Sequence, residues 1–163
     1  MKKFKLTSEF IVDISGVKLF RIKALIEFGN VKAGDLGGYI EKEENLSHMG
    51  NAWVSGNAQV SGDARVFGDA RVFVDAQVSG DAQVFGDARV SGDKDYAYAH
   101  GFGSCNRTTT FFRLKDGDVG VRCGCFYGTL AQFRDNVCET HGETKKAQEY
   151  LMLADLMDFR FKN

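Results

Sequence analysis

The 163-residue chain contains no proline. That absence leaves it without a rigid linker or a φ-locked turn, so its nineteen glycines supply the tight turns. Long apolar runs are also missing, since none approaches the ~20 residues a membrane helix requires. The start, MKKFKLTSEFIVDIS, is basic, yet Glu9 and Asp13 interrupt what would be the apolar core of a signal peptide. A cytoplasmic protein with no membrane partner is expected. Its four cysteines, Cys105, Cys123, Cys125 and Cys138, then read as thiols rather than disulfides. The formal charge of −1 excludes a global basic field, and no sequence-specific nucleic-acid partner is expected. Charge is uneven along the chain nonetheless. Residues 1–30 carry six basic and three acidic groups, residues 31–93 five and ten, and residues 94–163 ten and nine.

The acidic middle is repetitive. From Asn51 it reads NAWVSG, NAQVSG, DARVFG, DARVFV, DAQVSG, DAQVFG, DARVSG. Val recurs at 54, 60, 66, 72, 78, 84 and 90, and Ala at 52, 58, 64, 70, 76, 82 and 88. A period of six cannot keep one face of a 3.6-residue helix, whereas a fixed short period is the signature of a solenoid. The pattern resembles the hexapeptide repeat of parallel β-helices, which implies that three hexapeptides make an eighteen-residue coil with Val on the axis, Ala beneath it and Gly-Asp or Gly-Asn at the corners. That spacing stacks Trp53, Arg71 and Arg89 on one side, Gln59 and Gln77 on a second, and Arg65 and Gln83 on the third. Phe67, Phe73 and Phe85 flank the inward Val and point outward. Exposed apolar columns need a cover, so an oligomer interface is expected there, with folding back of the flanking segments as the alternative. The stacked Asp columns are expected to persist by accepting corner backbone N–H groups.

Both ends of so short a stack expose unpaired edges and need caps. Upstream, residues 1–30 read as two strands around a turn near Ser15-Gly16. Residues 31–93 hold an irregular first coil and then the repeats. Residues 94–163 read as an α+β unit: a hairpin turning at Lys115–Asp118, then two helices. Leu130, Phe133 and Val137 share a face of the first helix, which Gly142 ends. Ala147, Tyr150, Leu151, Ala154 and Met157 are the apolar positions of the second. The fold class is therefore mainly β: a short parallel β-helix with an N-terminal β cap and a C-terminal α+β unit.

The hexapeptide pattern resembles that of left-handed parallel β-helices. The run VKAGDLGGYIEKEENLSHMGNAWVSGNAQVSGDARV resembles transferase-like hexapeptide-repeat proteins of phages and prophages, and NRTTTFFRLKDGDVGVRCGCFYGTLAQF resembles their C-terminal unit. The resemblance implies a left-handed coil and, by analogy with relatives, a homotrimer. Acyl transfer is known in this fold, using a histidine base between subunits, but the repeats here contain no His; His48 precedes them and His100 follows. Cys123, Cys125, Cys138 and His141 are weak zinc candidates, because C-x-C is not the usual knuckle spacing. No cofactor is expected. The stronger candidate is an anion site at Asn106, Arg107, Thr108, Thr109, Thr110, Arg113 and Arg122, where guanidinium forks and hydroxyls suit phosphate and neighbouring aromatics suit a base. Trp53, Arg71 and Arg89 form a second basic-aromatic patch. The expected function is non-enzymatic: a phage-type oligomer that sequesters a nucleotide-like signal of host immunity. Alternatives are an inhibitor binding a host defence protein and an acyltransferase-like enzyme.

Overall fold

The computed structural model describes residues 2–103 and 107–162. Strands β1 (Phe4–Val12) and β2 (Lys18–Ala24) pair antiparallel, as the two apolar segments around Ser15-Gly16 predict. The Asp13 carboxylate closes their turn by accepting the Ser15 and Val17 N–H groups at 2.8 and 3.0 Å. Strand β3 (Leu36–Ile40) then pairs antiparallel with β2 on one side. On its other side it runs parallel to β5 (Gln59–Val60), so the hairpin continues one wall of the repeat region. Close approach requires Gly37 and Gly38. A Cβ on Gly37 would lie 2.6 Å from the Val54 carbonyl oxygen, and one on Gly38 would lie 2.7 Å from that of Ala58.

Each hexapeptide forms a two-residue strand: β4 (Trp53–Val54), β5, β6 (Arg65–Val66), β7 (Arg71–Val72), β8 (Gln77–Val78), β9 (Gln83–Val84) and β10 (Arg89–Val90). Partners are parallel and eighteen residues apart. Trp53 lies beside Arg71 and Arg71 beside Arg89, Gln59 beside Gln77, and Arg65 beside Gln83. The seven valines are at most 1% exposed and the seven alanines 0%. This segment is a three-sided β-solenoid with the register that the spacing predicts. The first coil is irregular. Ile40 pairs with Val60, Leu46 with Val66, and Val54 with Val72, so its sides step by six and then eight residues (40 to 46 to 54) before the regular six-residue period begins.

The expected C-terminal hairpin is part of a larger sheet. Its order is β11 (Tyr96–Phe102), β12 (Arg107–Arg113), β13 (Val119–Cys123) and β14 (Phe126–Thr129), all antiparallel. Helices α1 (Leu130–His141) and α2 (Lys145–Phe161) follow, with Thr129 and Thr144 as N-caps and Gly142 ending the first. All five apolar positions expected on α2 are buried or half-buried beside Phe161, and Ala147, Tyr150, Ala154 and Met157 join Leu130, Phe133 and Val137 in one core. The sheet is a middle layer. Phe111 packs with the helices, whereas its neighbour Phe112 packs with the solenoid valines.

Side chains complete the hydrogen bonding at both ends of the stack. At the start, buried Asn45 donates through Nδ2 to the carbonyls of Gly62 (3.1 Å) and Ala64 (2.9 Å). Buried Lys3 donates from Nζ to the carbonyl of Ala52 at 2.7 Å. At the far end no further coil exists. There the Ser79, Gln83 and Ser91 N–H groups donate to Tyr96 Oη (3.2 Å), Thr110 Oγ1 (2.9 Å) and Asp95 Oδ2 (3.0 Å). Unpaired backbone groups in such positions cost free energy comparable to a lost hydrogen bond.

Replacing Thr110 by its near-isostere Val leaves the Gln83 N–H without an acceptor. The loss of stability expected in urea unfolding is about 1–3 kcal/mol. Lys3 has a pKa lowered to about 8, first by burial and then by the Arg71 charge, against an ordinary 10.5. Between these values the unfolded chain holds a proton that the folded chain has released, so stability rises with pH from about 8 toward 10. Tyr96, whose pKa burial raises above its ordinary 10.0, acts in the opposite sense above that pH. Urea unfolding from pH 7 to 10 should show this rise in the native protein and its loss in Lys3→Met.

Candidate functional site

Docking of the C-terminal sheet on the solenoid creates a groove along the Arg65 and Gln83 column. One part, of about 560 Å³, is lined by residues including Glu43, His48, Arg65, Phe67, Gln83 and Arg122. The adjoining part, about 570 Å³, shares Arg65, Gln83 and Gly124 and adds Asp81, His100, Arg107 and Thr108. Two of its carboxylates are matched by lysines, whereas Glu44 makes no ion pair among the described residues. Glu43 pairs with Lys2 at 2.9 Å and His48 at 3.2 Å, and Asp63 pairs with Lys42 at 2.7 Å. Asp81 lies 3.9 Å from His100. Among the described residues Arg65, Arg107 and Arg122 make no ion pair, so three guanidiniums line the groove without a carboxylate in contact.

Arg122 sits over the Phe85 ring at 4.9 Å and the Phe67 ring at 5.4 Å. Those two rings stack at 4.5 Å, and Tyr127 meets Phe85 edge-on at 4.7 Å. The C-terminal unit therefore covers the Phe67 and Phe85 column within one chain, which is the folding-back alternative. The need for a second copy at that column lapses. Phe73 lies apart, half-buried on another edge.

Several anion-site candidates have other duties. Thr109 and Thr110 are 1% and 0% exposed, because strand β12 is covered on both faces. Thr109 donates to Cys123 Sγ at 3.3 Å, and Thr110 caps the solenoid. Arg113 donates to the Phe161 and Gly117 carbonyls and lies 3.8 Å from Asp95, so it anchors α2 and the hairpin. Arg107, Thr108 and Arg122 do line the groove, and Asn106 lies outside the described residues. Trp53 is not a ligand platform: it is 4% exposed and packs edge-on against Phe28 at 5.3 Å.

The zinc candidates are not assembled. Cys123 is buried against Thr109 and Tyr150, whereas Cys125 and Cys138 are exposed. Among the described residues no three His, Cys, Asp or Glu side chains are placed to share a metal ion. The Asp columns also differ from expectation. Asp69 accepts the Asn51 N–H at 3.3 Å, but Asp63 takes Lys42, and the columns stand in water, where repulsion is weak.

His48 is held on both ring nitrogens. Its Nδ1 accepts the Lys3 N–H at 3.1 Å, which puts the proton of the neutral ring on Nε2, facing Glu43. Stacked 4.3 Å over Phe4, it braces the N-terminus and has no free nitrogen for base catalysis.

Arg65 and Gln83 were legible as one stacked column, but not as a groove wall. Which column the C-terminal sheet covers has no local sequence signal.

A second cleft, of about 450 Å³, opens on another side between Asn30, Ser55, Arg71, Phe73 and Arg89. At the adjoining corner Val74 stands where the neighbouring repeats have Gly68 and Gly80. It adopts φ 59°, a left-handed conformation that β-branched residues rarely take.

These features define a β-solenoid protein with a sheet-and-helix unit docked on it. A family profile described as the YdcK β-solenoid repeat matches residues 58–73 and 82–93. No curated protein matches the chain. No helix among the described residues is long and apolar enough to cross a membrane.

The strained corner carries its own measurable outcome. Val74 is 54% exposed, so its side chain contributes little packing, and relief of a left-handed Val outweighs the added freedom of Gly. Val74→Gly should stabilise the protein by about 1 kcal/mol, seen as a higher urea midpoint at unchanged slope.

Proposed function

We propose that the protein is a non-enzymatic binder that captures a small anionic ligand of nucleotide type in the groove between the solenoid and the C-terminal sheet. The observation that carries this reading is the set of three un-ion-paired guanidiniums, Arg65, Arg107 and Arg122, beside Phe67. Guanidinium forks match phosphate oxygens, and the aromatic face suits a base. The engaged nitrogens of His48 argue against acyl transfer through that residue. The resemblance to phage and prophage hexapeptide proteins supports a left-handed coil, trimeric assembly, a cytoplasmic setting and a role in sequestering a signal of host immunity.

A second reading, direct inhibition of a host defence protein, is favoured by one feature. Met152, Leu156 and Phe159 of α2 are 70, 55 and 79% exposed at helical spacing, an apolar stripe on the outer face.

Mass spectrometry of the protein recovered from lysates of phage-infected cells separates the two. A retained nucleotide-like molecule is expected, with affinity about tenfold weaker in Arg65→Gln and in Arg107→Gln. A retained protein with no small molecule sinks the first reading.

A further inference from the structure

The cleft of Arg71, Arg89 and Phe73 is built differently from the groove and lies on another side of the solenoid. Arg71 and Arg89 occupy adjacent rungs of one parallel ladder, roughly 5 Å apart in the hydrogen-bonding direction. Side chains in register on neighbouring strands cannot avoid each other, so two like charges are held together. Arg71 is half-buried, and Gly29 admits it: a Cβ on that glycine would lie 2.7 Å from an Arg71 terminal nitrogen. Burial first, and then the Arg89 charge, lowers the Arg71 pKa from its ordinary value. The buried ammonium of Lys3 adds a third positive charge nearby, and the Arg71 charge lowers the Lys3 pKa.

The opposing charge is small. Asp69 is the carboxylate that acts on both Arg71 and Lys3, and it stands exposed, accepting the Asn51 N–H. Among the described residues neither arginine forms an ion pair. Arg89 donates one nitrogen to the carbonyls of Asp69 and Ala88, at 3.1 and 2.9 Å, leaving its remaining donors available. Ser55 and Asn30 add neutral polar groups at the cleft wall, and Phe73 supplies one aromatic surface. Gln occupies the equivalent position at 59, 77 and 83, so the solenoid itself does not require arginine there. Two guanidiniums in register are a cost to the fold that an anion removes.

We propose that this cleft is a second anion site, independent of the groove, which takes a phosphate group between the Arg71 and Arg89 guanidiniums with a planar ring attached to it resting on Phe73. The ligand class is thus a phosphate ester of a ring compound. The site differs from the groove in having its charges stacked on one ladder of the solenoid and in owing nothing to the C-terminal sheet.

Calorimetric titration at fixed ionic strength tests the assignment with two probes, inorganic phosphate and phenyl phosphate. Both should bind saturably, phenyl phosphate more tightly. Arg89→Gln and Arg71→Gln should each weaken both probes by about tenfold or more. Phe73→Leu should remove the difference between the probes while leaving phosphate binding in place. Binding in the groove is separated by titrating in an Arg65→Gln background, where this site should remain saturable. Absence of saturable binding in that background overturns the site, as does binding there that Arg89→Gln leaves unchanged. Equal affinities of the two probes for the native protein overturn the ring contact. Unfolding midpoints of the arginine variants equal to or above that of the native protein show that any loss of binding is not a loss of fold.

Discussion

Each coil presents backbone N–H and C=O groups along the axis, and at the two ends no next coil exists to receive them. The rest of the molecule is arranged around that shortage. At the start, Lys3 and Asn45 reach over the first regular coil to its carbonyls. At the far end, Tyr96, Asp95 and Thr110 accept the N–H groups of the last coil. Thr110 belongs to the middle strand of the C-terminal sheet, so completing one hydrogen bond also fixes where that sheet docks. Its neighbour Phe112 then reaches the solenoid core, and Phe111 is left to face the helices.

That docking produces the groove. The sheet brings Arg107 and Arg122 to the same column as Arg65, while Lys2 and Lys42 neutralise nearby carboxylates. A chain of net charge −1 thus holds local positive surfaces, because its acids and bases are paired selectively. The Arg71 and Arg89 pair reaches the same result by another route, through register alone.

The periodic part of the fold was fully legible. Val and Ala columns at a period of six mark the axial packing, and the resemblance to three-sided hexapeptide coils supplied the eighteen-residue register that the strand pairing shows. The strand Tyr96–Phe102 was not legible, since YAYAHGF alternates Tyr with Ala rather than apolar with polar residues and carries Gly101 inside it. Trp53 was read as part of a basic-aromatic patch because the repeat pattern points it away from the axis; it does stack on Arg71 there, but Phe28 covers it from outside. Thr109 and Thr110 were misread for a related reason. Consecutive buried hydroxyls occur only where both faces of a strand are covered, and a second cover is a tertiary fact. Arg107, Thr108 and Arg122 line the groove; Thr108 lies two residues from Thr110 and Arg122 lies opposite Thr110, on the face of the sheet turned to the solenoid.

The three-sided coil gives the molecule an angular ruler. Each hexapeptide carries the chain a third of a turn around the axis, as the succession of walls through Trp53, Gln59 and Arg65 shows. Removing or adding one hexapeptide would swing the C-terminal unit to a different wall relative to the N-terminal hairpin, and the groove would be rebuilt against a different column. Only changes of eighteen residues preserve the facing of the two end units, altering their separation by one rung. Length variation in such a chain is therefore quantised, and the orientation of its surfaces is encoded by a count.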